Sequence, residues 1–153
     1  MQPALQALEG RLDKLEGPTR TTLYDVPGAP PLPSEDTVAP PRLLSMWDNI
    51  LHAYSDRGRV VPSDYRQLVC RRNGDVLPAL LVDGYLAGVW RPVKGGIEAT
   101  AFHRLDDEAW KGLAAEASAL VAFLADREPT VYRRYARWWT KAMPTAEVCV
   151  LPG

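Results

Sequence analysis

The sequence is poor in the residues that build most metal and redox sites. It contains two cysteines, Cys70 and Cys149, and two histidines, His52 and His103. The cysteines form no CxxC pair, so a reducing compartment is the default, although the count is also compatible with one disulfide. With so few ligand side chains we predict no metal site and no organic cofactor, and a histidine-based catalytic triad has few parts available.

Long apolar runs and catalytic signatures are missing as well. No stretch approaches the roughly 20 apolar residues that cross a bilayer, and residues 1–15 carry charges where a signal peptide has an apolar segment. The chain has no P-loop, GxGxxG, HExxH or GxSxG motif, which removes the commonest nucleotide-binding and hydrolase signatures. These absences predict a cytoplasmic protein without a membrane partner.

The net charge of −1, from 18 basic and 19 acidic residues, excludes a uniformly cationic surface but not a local basic patch. Arginine dominates the basic residues, with 14 arginines against 4 lysines. Between Arg42 and Arg72 six arginines face three aspartates, a local balance of +3. The centre of the chain is therefore where an anionic partner is expected.

Proline is abundant, with 14 residues, six of them at positions 27–41. Proline lacks the N–H that a ladder needs, so this stretch is predicted to be a stiff, extended connector. A proline-rich ligand for another domain is the alternative. The predicted organisation of the 153 residues is an amino-terminal segment at 1–26, the connector at 27–41 and a β-rich domain at 42–153.

The amino-terminal segment shows a leucine stripe. Leu5, Leu8, Leu12 and Leu15 recur at helical spacing, which predicts a helix over residues 4–16. A helix of this length with one apolar seam is marginal alone. We therefore expect these leucines to meet a partner surface, in this chain or in another protein. The β-branched residues at 19–26 predict a strand after the helix.

The remaining pattern predicts an α+β fold. Strands at 77–82 and 85–91 flank the turn Asp83-Gly84, and a third follows at 97–102, so we expect a small antiparallel sheet or barrel. A helix over 63–71 has Ser63 as its predicted N-cap, and a longer helix over 106–126 begins at Asp106. The sequence also predicts a strand at 59–61, a strand or helix within 43–54, a helix at 130–142 and a last strand at 148–151.

A polar segment at 52–59 carries the first candidate site. Two guanidiniums, on Arg57 and Arg59, are suited to phosphate or carboxylate because each presents a planar fork of donors. His52, Tyr54 and Asp56 lie beside them in sequence and form a candidate pocket. The alternative is a structural Asp–Arg pair that fixes a corner of the fold.

The predicted helix at 130–142 carries the second candidate site. Arg133, Arg137 and Lys141 recur every four residues beside an aromatic stripe. Basic residues interleaved with aromatic rings suit a nucleic-acid backbone or a membrane surface. An amphipathic helix docked on the sheet gives the same pattern.

Short motifs then appear in a characteristic order. They are Leu-Tyr-Asp-Val-Pro at 23–27, Pro-Arg-Leu-Leu at 41–44, Trp-Asp-Asn-Ile-Leu at 47–51, Asp-Arg-Gly-Arg-Val at 56–60, Asn-Gly at 73–74 and Leu-Val-Asp-Gly-Tyr-Leu-Ala-Gly-Val-Trp-Arg at 81–91. Over residues 4–125 the chain resembles the carboxy-terminal part of the winged-helix DNA-binding domain family. That family includes bacterial alkylpurine DNA glycosylases that unhook interstrand crosslinks.

The resemblance implies a partial winged-helix segment, a helix plus a wing strand, before a β domain that contributes to a basic DNA channel. It implies a DNA-binding module associated with the nucleoid. For that module we predict phosphate contacts from Arg42, Arg57, Arg59 and Arg91, and we expect Arg133, Arg137 and Lys141, which lie beyond the matched stretch, to extend the same surface. Catalytic members carry a Gln-x-Gln or Gln-x-Asp pair, whereas Gln2, Gln6 and Gln67 form neither. We therefore assign no catalytic residue.

Two further functions stay open at this stage. The first is one half of a split DNA glycosylase, whose catalytic glutamines lie on another polypeptide that meets the leucine stripe. The second is a small-molecule-binding barrel walled by Trp47, Trp90 and Tyr85.

Overall fold

The computed structural model describes residues 2–17, 20–31, 33–34, 36–126 and 143–152. The chain divides into two compact units, residues 1–37 and 38–153. The predicted helix at 130–142 lies outside the described residues. Within them, no helix is long and apolar enough to cross a membrane. The predicted boundaries of the connector at 27–41 stay a prediction; its described residues form neither helix nor strand.

The amino-terminal unit consists of a short helix and a β-hairpin. They are α1 (Gln2–Ala7), β1 (Asp13–Glu16) and β2 (Thr22–Asp25). The strand at 19–26 is confirmed in its core, but the helix over 4–16 is wrong beyond Ala7. Gly10 adopts a φ of 83°, which no right-handed helix accommodates, and Leu15 then pairs with Leu23 across the hairpin. The four leucines therefore do not form one helical stripe.

The second unit contains an open antiparallel sheet of five strands in the order β3-β4-β5-β6-β7. The strands are β3 (Arg42–Leu43), β4 (Ala79–Val82), β5 (Tyr85–Val93), β6 (Gly96–Ala101) and β7 (Glu147–Pro152). The sheet prediction is confirmed and the barrel is wrong. Closure requires the first and last strands to pair, whereas in the described residues the two-residue β3 pairs with β4 and β7 pairs with β6.

The described residues of this unit include the helices α2 (Asn49–His52), α3 (Ser63–Val69) and α4 (Asp107–Leu124). The long predicted helix is confirmed as α4, because the Asp106 side chain accepts the N–H of Ala109 at 2.7 Å and caps it. The helix at 63–71 is confirmed as α3, but Ser63 is not its cap: Pro62 precedes it and offers no side-chain acceptor. The strand at 59–61 is wrong, since those residues form a turn after α2.

The sheet buries side chains on both faces. In β4, Leu80 belongs to one apolar cluster and its neighbours Ala79 and Leu81 to another, as the two-residue period of a strand requires. The first cluster includes Leu113 of α4, and the second includes Leu51 of α2. The sheet is thus a layer between α4 and the segment that carries α2 and α3.

The hairpin of β4 and β5 forms as predicted. Asp83 and Gly84 have φ values of 49° and 77°, the left-handed pair that a two-residue hairpin turn requires. Further along β5, a Cβ on Gly88 would overlap the carbonyl oxygen of Thr100 on β6. Only glycine permits this close approach of β5 and β6, which explains why a glycine stands in the middle of a buried strand.

Candidate nucleic-acid interface

Four arginines line one groove on the second unit. The groove is bounded by Arg57, from the loop between α2 and α3, by Arg66 and Gln67 of α3, and by Cys70, Arg71, Arg72 and Asn73 after it. We call it the arginine groove. Both cysteines are free thiols, and Cys70 lies half-buried among these side chains.

The sequence dictates how the groove is built. Val69 is fully buried and holds α3 on the sheet, so Arg66 and Gln67 remain exposed. The predicted Asn-Gly turn then reverses the chain, with Gly74 at a φ of 89° and its N–H on the carbonyl of Arg71 at 3.1 Å. Asn73 donates to the Asp75 carboxylate at 2.9 Å. The turn thus sets two adjacent arginines beside α3.

Three of the four groove arginines have no carboxylate partner in the part of the chain that the structure describes. Among the described residues no carboxylate lies within ion-pair distance of Arg57, Arg66 or Arg72. Asp56, the nearest acid in sequence, uses its Oδ1 to accept the N–H of Gly58 at 2.9 Å. The alternative of an Asp56–Arg pair that fixes a corner is therefore wrong for this part of the chain.

The basic residues predicted from the sequence to contact DNA divide into four groups. Arg57 lies in the arginine groove, and its Nε donates to the Tyr54 carbonyl at 3.1 Å. Arg59 lies over the Tyr54 ring at 4.1 Å from its centroid. Arg42 and Arg91 each have a carboxylate partner, Glu116 at 3.4 Å and Glu98 at 2.7 Å. Arg133, Arg137 and Lys141 lie outside the described residues.

The candidate pocket at 52–56 is an exposed surface segment. His52, Tyr54 and Asp56 are all exposed, and the carbonyls of His52 and Tyr54 accept from the Arg57 guanidinium. Their backbone thus positions Arg57.

The proposed walls of a small-molecule barrel do not converge either. Trp90 is buried and donates its indole N–H to the Leu44 carbonyl at 2.8 Å, whereas Tyr85 is exposed at the start of β5. With the sheet open, the barrel function has no basis.

Sequence reasoning missed three arginines of the groove, Arg66, Arg71 and Arg72. The available signal was the local charge of +3 between Arg42 and Arg72, together with the two arginines directly before the Asn-Gly turn. What the pattern did not reveal is that the turn and α3 fold back beside Arg57. A groove of guanidiniums can hold a polyanion through charge-assisted hydrogen bonds, without any proton transfer.

Comparison with known proteins gives the family. The family model for DNA glycosylase AlkZ-like proteins matches residues 1–123. This family is more specific than the winged-helix DNA-binding family that the motifs resemble. No curated protein sequence matches the chain.

Among solved structures, the chain resembles the Streptomyces sahachiroi DNA glycosylase AlkZ, with a TM-score of 0.58 and 19% sequence identity. The match covers 76% of this chain and 32% of that chain, so the present chain spans about a third of the length of that structure. At this identity the likeness shows a shared fold. The family match extends over most of the sequence, and the chain therefore belongs to the DNA glycosylase AlkZ-like family.

Proposed function

We propose that this chain is a DNA-binding module of the AlkZ-like family, without the catalytic part, and that the arginine groove contacts the phosphate backbone. The observation that carries the proposal is the convergence of four arginines on one groove, three of them without a carboxylate partner among the described residues. The absence of any Gln-x-Gln or Gln-x-Asp sequence agrees with a non-catalytic role. Its place would be the cytoplasm, on the nucleoid.

The chemistry of the groove favours binding that is largely independent of sequence. Guanidinium groups grip phosphate oxygens, which are the same for every base pair, so they fix position and carry no sequence information. Each neutralised phosphate releases condensed counterions, so the affinity falls steeply as salt rises. Arg42 and Arg91 contribute less in this proposal, because Glu116 and Glu98 already neutralise them.

The amino-terminal unit fits the same proposal as the end of a winged-helix unit. α1 is followed directly by the hairpin of β1 and β2, which is the order of a final helix and its wing. The hairpin has antiparallel pairing throughout, from Asp13 with Asp25 to Glu16 with Thr22. This order supports the assignment of residues 1–26 as a partial winged-helix segment.

The test is fluorescence anisotropy of a labelled duplex with the full chain at low and at physiological salt. The double variant Arg66→Gln/Arg72→Gln is expected to weaken binding about tenfold and to reduce the magnitude of the salt slope by about two, one unit per lost phosphate contact. The matched control is Arg42→Gln/Arg91→Gln, which also removes two positive charges. Its expected effect is less than about twofold, as for other surface ion pairs.

Two results would overturn the proposal. One is no duplex binding at low salt. The other is equal losses from the two double variants, because net charge alone would then explain the affinity.

A second candidate function, one half of a split DNA glycosylase, rests on a different observation. No described residue of the amino-terminal unit is buried, and Leu15, Leu23 and Tyr24 are each about half exposed. A unit of this kind gains stability by placing its apolar side chains on another surface. In the split-enzyme proposal a separate polypeptide supplies that surface.

The split enzyme is tested by reconstitution. A helical protein with a Gln-x-Gln or Gln-x-Asp pair, encoded in the neighbouring reading frame, is mixed with this chain and with alkylated duplex DNA. Base release that needs both polypeptides, and that Leu15→Asp/Leu23→Asp in this chain abolishes, would establish the split enzyme. Base release by the neighbouring protein alone, or no base release when both polypeptides are present, would exclude the split enzyme.

A further inference from the structure

Two aromatic side chains lie exposed around α2, in the same unit as the arginine groove. Trp47 precedes the helix and Tyr54 follows it, and they are 41% and 51% exposed. α2 itself is firmly held, because Leu51 is fully buried and the Asp48 carboxylate accepts the N–H of Ile50 at 2.9 Å. The exposed rings are therefore carried by an anchored segment.

Trp47 has an unusual backbone. Its φ is 57°, a left-handed conformation that is costly for a bulky side chain. Its N–H lies 3.4 Å from the carbonyl of Val76, which follows the Asn-Gly turn of the groove. A strained residue that presents a half-exposed indole is an arrangement typical of a binding surface.

Tyr54 adjoins the groove through Arg57. The Arg57 guanidinium donates to the carbonyl of Tyr54 at 3.1 Å and to that of His52 at 3.5 Å. From the other side, a Cβ on Gly74 of the groove turn would lie 4.0 Å from Nε2 of His52. The residues that present the tyrosine thus contact residues that form the groove.

The ring of Tyr54 is already oriented. The Arg59 guanidinium lies over it at 4.1 Å from the centroid, which restricts the ring while half of the residue stays exposed. A ring backed by a cation is a good platform for a nucleobase, since stacking on aromatic side chains tolerates every base.

We infer that Tyr54 and Trp47 form a nucleobase-stacking site for unpaired bases of a DNA strand whose phosphates lie in the arginine groove. The inference rests on the proposed DNA binding and adds the form of DNA that the site takes. Phosphates are available in single strands and duplexes alike, whereas bases in an intact duplex stack on one another. The rings therefore contribute only where the strand is unpaired.

The experiment compares a labelled single-stranded oligonucleotide of about 12 nucleotides with the matched duplex, by anisotropy on the full chain. Tyr54→Ala is expected to weaken single-strand binding about tenfold, and to leave duplex affinity and both salt slopes unchanged. Tyr54→Phe keeps the ring and is expected to bind like the natural sequence. The matched control is Tyr85→Ala, which removes a tyrosine of similar exposure from β5.

A second variant covers the case in which Tyr54→Ala disturbs the fold. Trp47→Gly removes the indole and at the same time relieves the left-handed backbone, so it is expected to keep the melting temperature and still weaken single-strand binding.

The outcomes separate this inference from the proposal beneath it. If Arg66→Gln/Arg72→Gln weakens both DNA forms while Tyr54→Ala and Trp47→Gly weaken neither, the stacking site is overturned and the groove stands. Equal losses of duplex and single strand in Tyr54→Ala also overturn it, because the ring then supports Arg59 and not a base. If neither DNA form binds at low salt, both ideas fall.

Discussion

The two units of this chain differ in how they bury apolar surface. The sheet unit has fully buried side chains on both faces, among them Trp90 and Leu113 on one and Leu51 on the other. The amino-terminal unit has regular backbone pairing but no buried side chain among its described residues. A pocket of about 260 Å³ in this unit is lined by side chains of α1, of the turn after it and of the hairpin, among them Leu5, Leu12 and Tyr24.

The difference teaches that hydrogen-bonded backbone and stability are separate properties. A two-stranded hairpin is marginal in water unless its side chains pack on something, whereas a multistranded sheet with two covered faces supplies its own core. We therefore expect the sheet unit to fold alone and the amino-terminal unit to depend on a further surface.

The largest expected contrast is in hydrogen exchange. Amides of β5 and β6, in the middle of the sheet, are expected to exchange only by global unfolding. Amides of β1 and β2 are expected to exchange by local opening, with a free energy of opening close to zero. Exchange followed by mass spectrometry of the isolated chain measures both. Comparable protection in the hairpin and the sheet would show that the amino-terminal unit is stable by itself.

The next contrast is between two leucine truncations. Leu113→Ala removes a fully buried side chain of α4 and is expected to cost about 2–5 kcal/mol. Leu23→Ala removes a half-exposed side chain of β2 and is expected to cost less than about 0.5 kcal/mol. Urea unfolding followed by tryptophan fluorescence gives both free energies. A Leu23→Ala cost as large as that of Leu113→Ala would mean that the hairpin has a core of its own.

A smaller effect is expected where the end of the proline-rich stretch meets α4. A Cβ on Gly112 would lie 2.8 Å from Cγ of Pro41, so Gly112→Ala forces the proline ring to move. We expect a loss of about 1 kcal/mol, although glycine-to-alanine changes in helices usually stabilise. Ala119→Gly, at an exposed position of the same helix, gives the ordinary propensity cost of about 1 kcal/mol as the reference. A stabilising Gly112→Ala would show that Pro41 is not held against α4.

The smallest effect is a pH dependence at Glu147. The Leu105 N–H, at 3.1 Å, and the Trp110 indole N–H, at 3.0 Å, hold the pKa of this carboxyl below its ordinary value. A depressed pKa gives stability that is complete above the ordinary value and is lost as the pH falls through the folded one. The difference in free energy of unfolding between the natural chain and Glu147→Gln is therefore expected to shrink on acidification. Urea midpoints at neutral and acidic pH measure it, and a constant difference would contradict this origin.

Much of the sheet unit is predictable because its signals are local. Asp83-Gly84 requires left-handed backbone at two successive residues, so it fixes a hairpin wherever apolar strands flank it. Asp106 caps α4 through its own side chain, three residues from its donor. The prediction of a helix over 4–16 was wrong for the opposite reason. Leu12 and Leu15 keep the helical spacing, but Gly10 reverses the chain, and the pairing of Leu15 with Leu23 places Leu15 in a strand.

The candidate site shows the same division. Composition alone placed the excess of arginine between positions 42 and 72, and the Asn-Gly turn was readable from its two residues. Which arginines keep their charge available was decided by tertiary structure, since Arg42 and Arg91 meet carboxylates that lie 74 and 7 residues away in sequence. Arg57, Arg66 and Arg72 meet in one groove because α3 and the turn pack on the sheet.

The sequence by itself determined the Asn-Gly and Asp-Gly turns, the Asp106 cap of α4, the strands on either side of Asp83-Gly84 and the broad family, because each depends on residues close together or on motifs in a fixed order. Only the tertiary structure decided that the sheet stays open, that Trp90 is core while Trp47 and Tyr54 stay exposed, and that four arginines share a groove. Those features depend on which distant residues meet once the chain is packed. Burial of apolar surface drives that packing, and because it is non-directional it does not specify which partners meet.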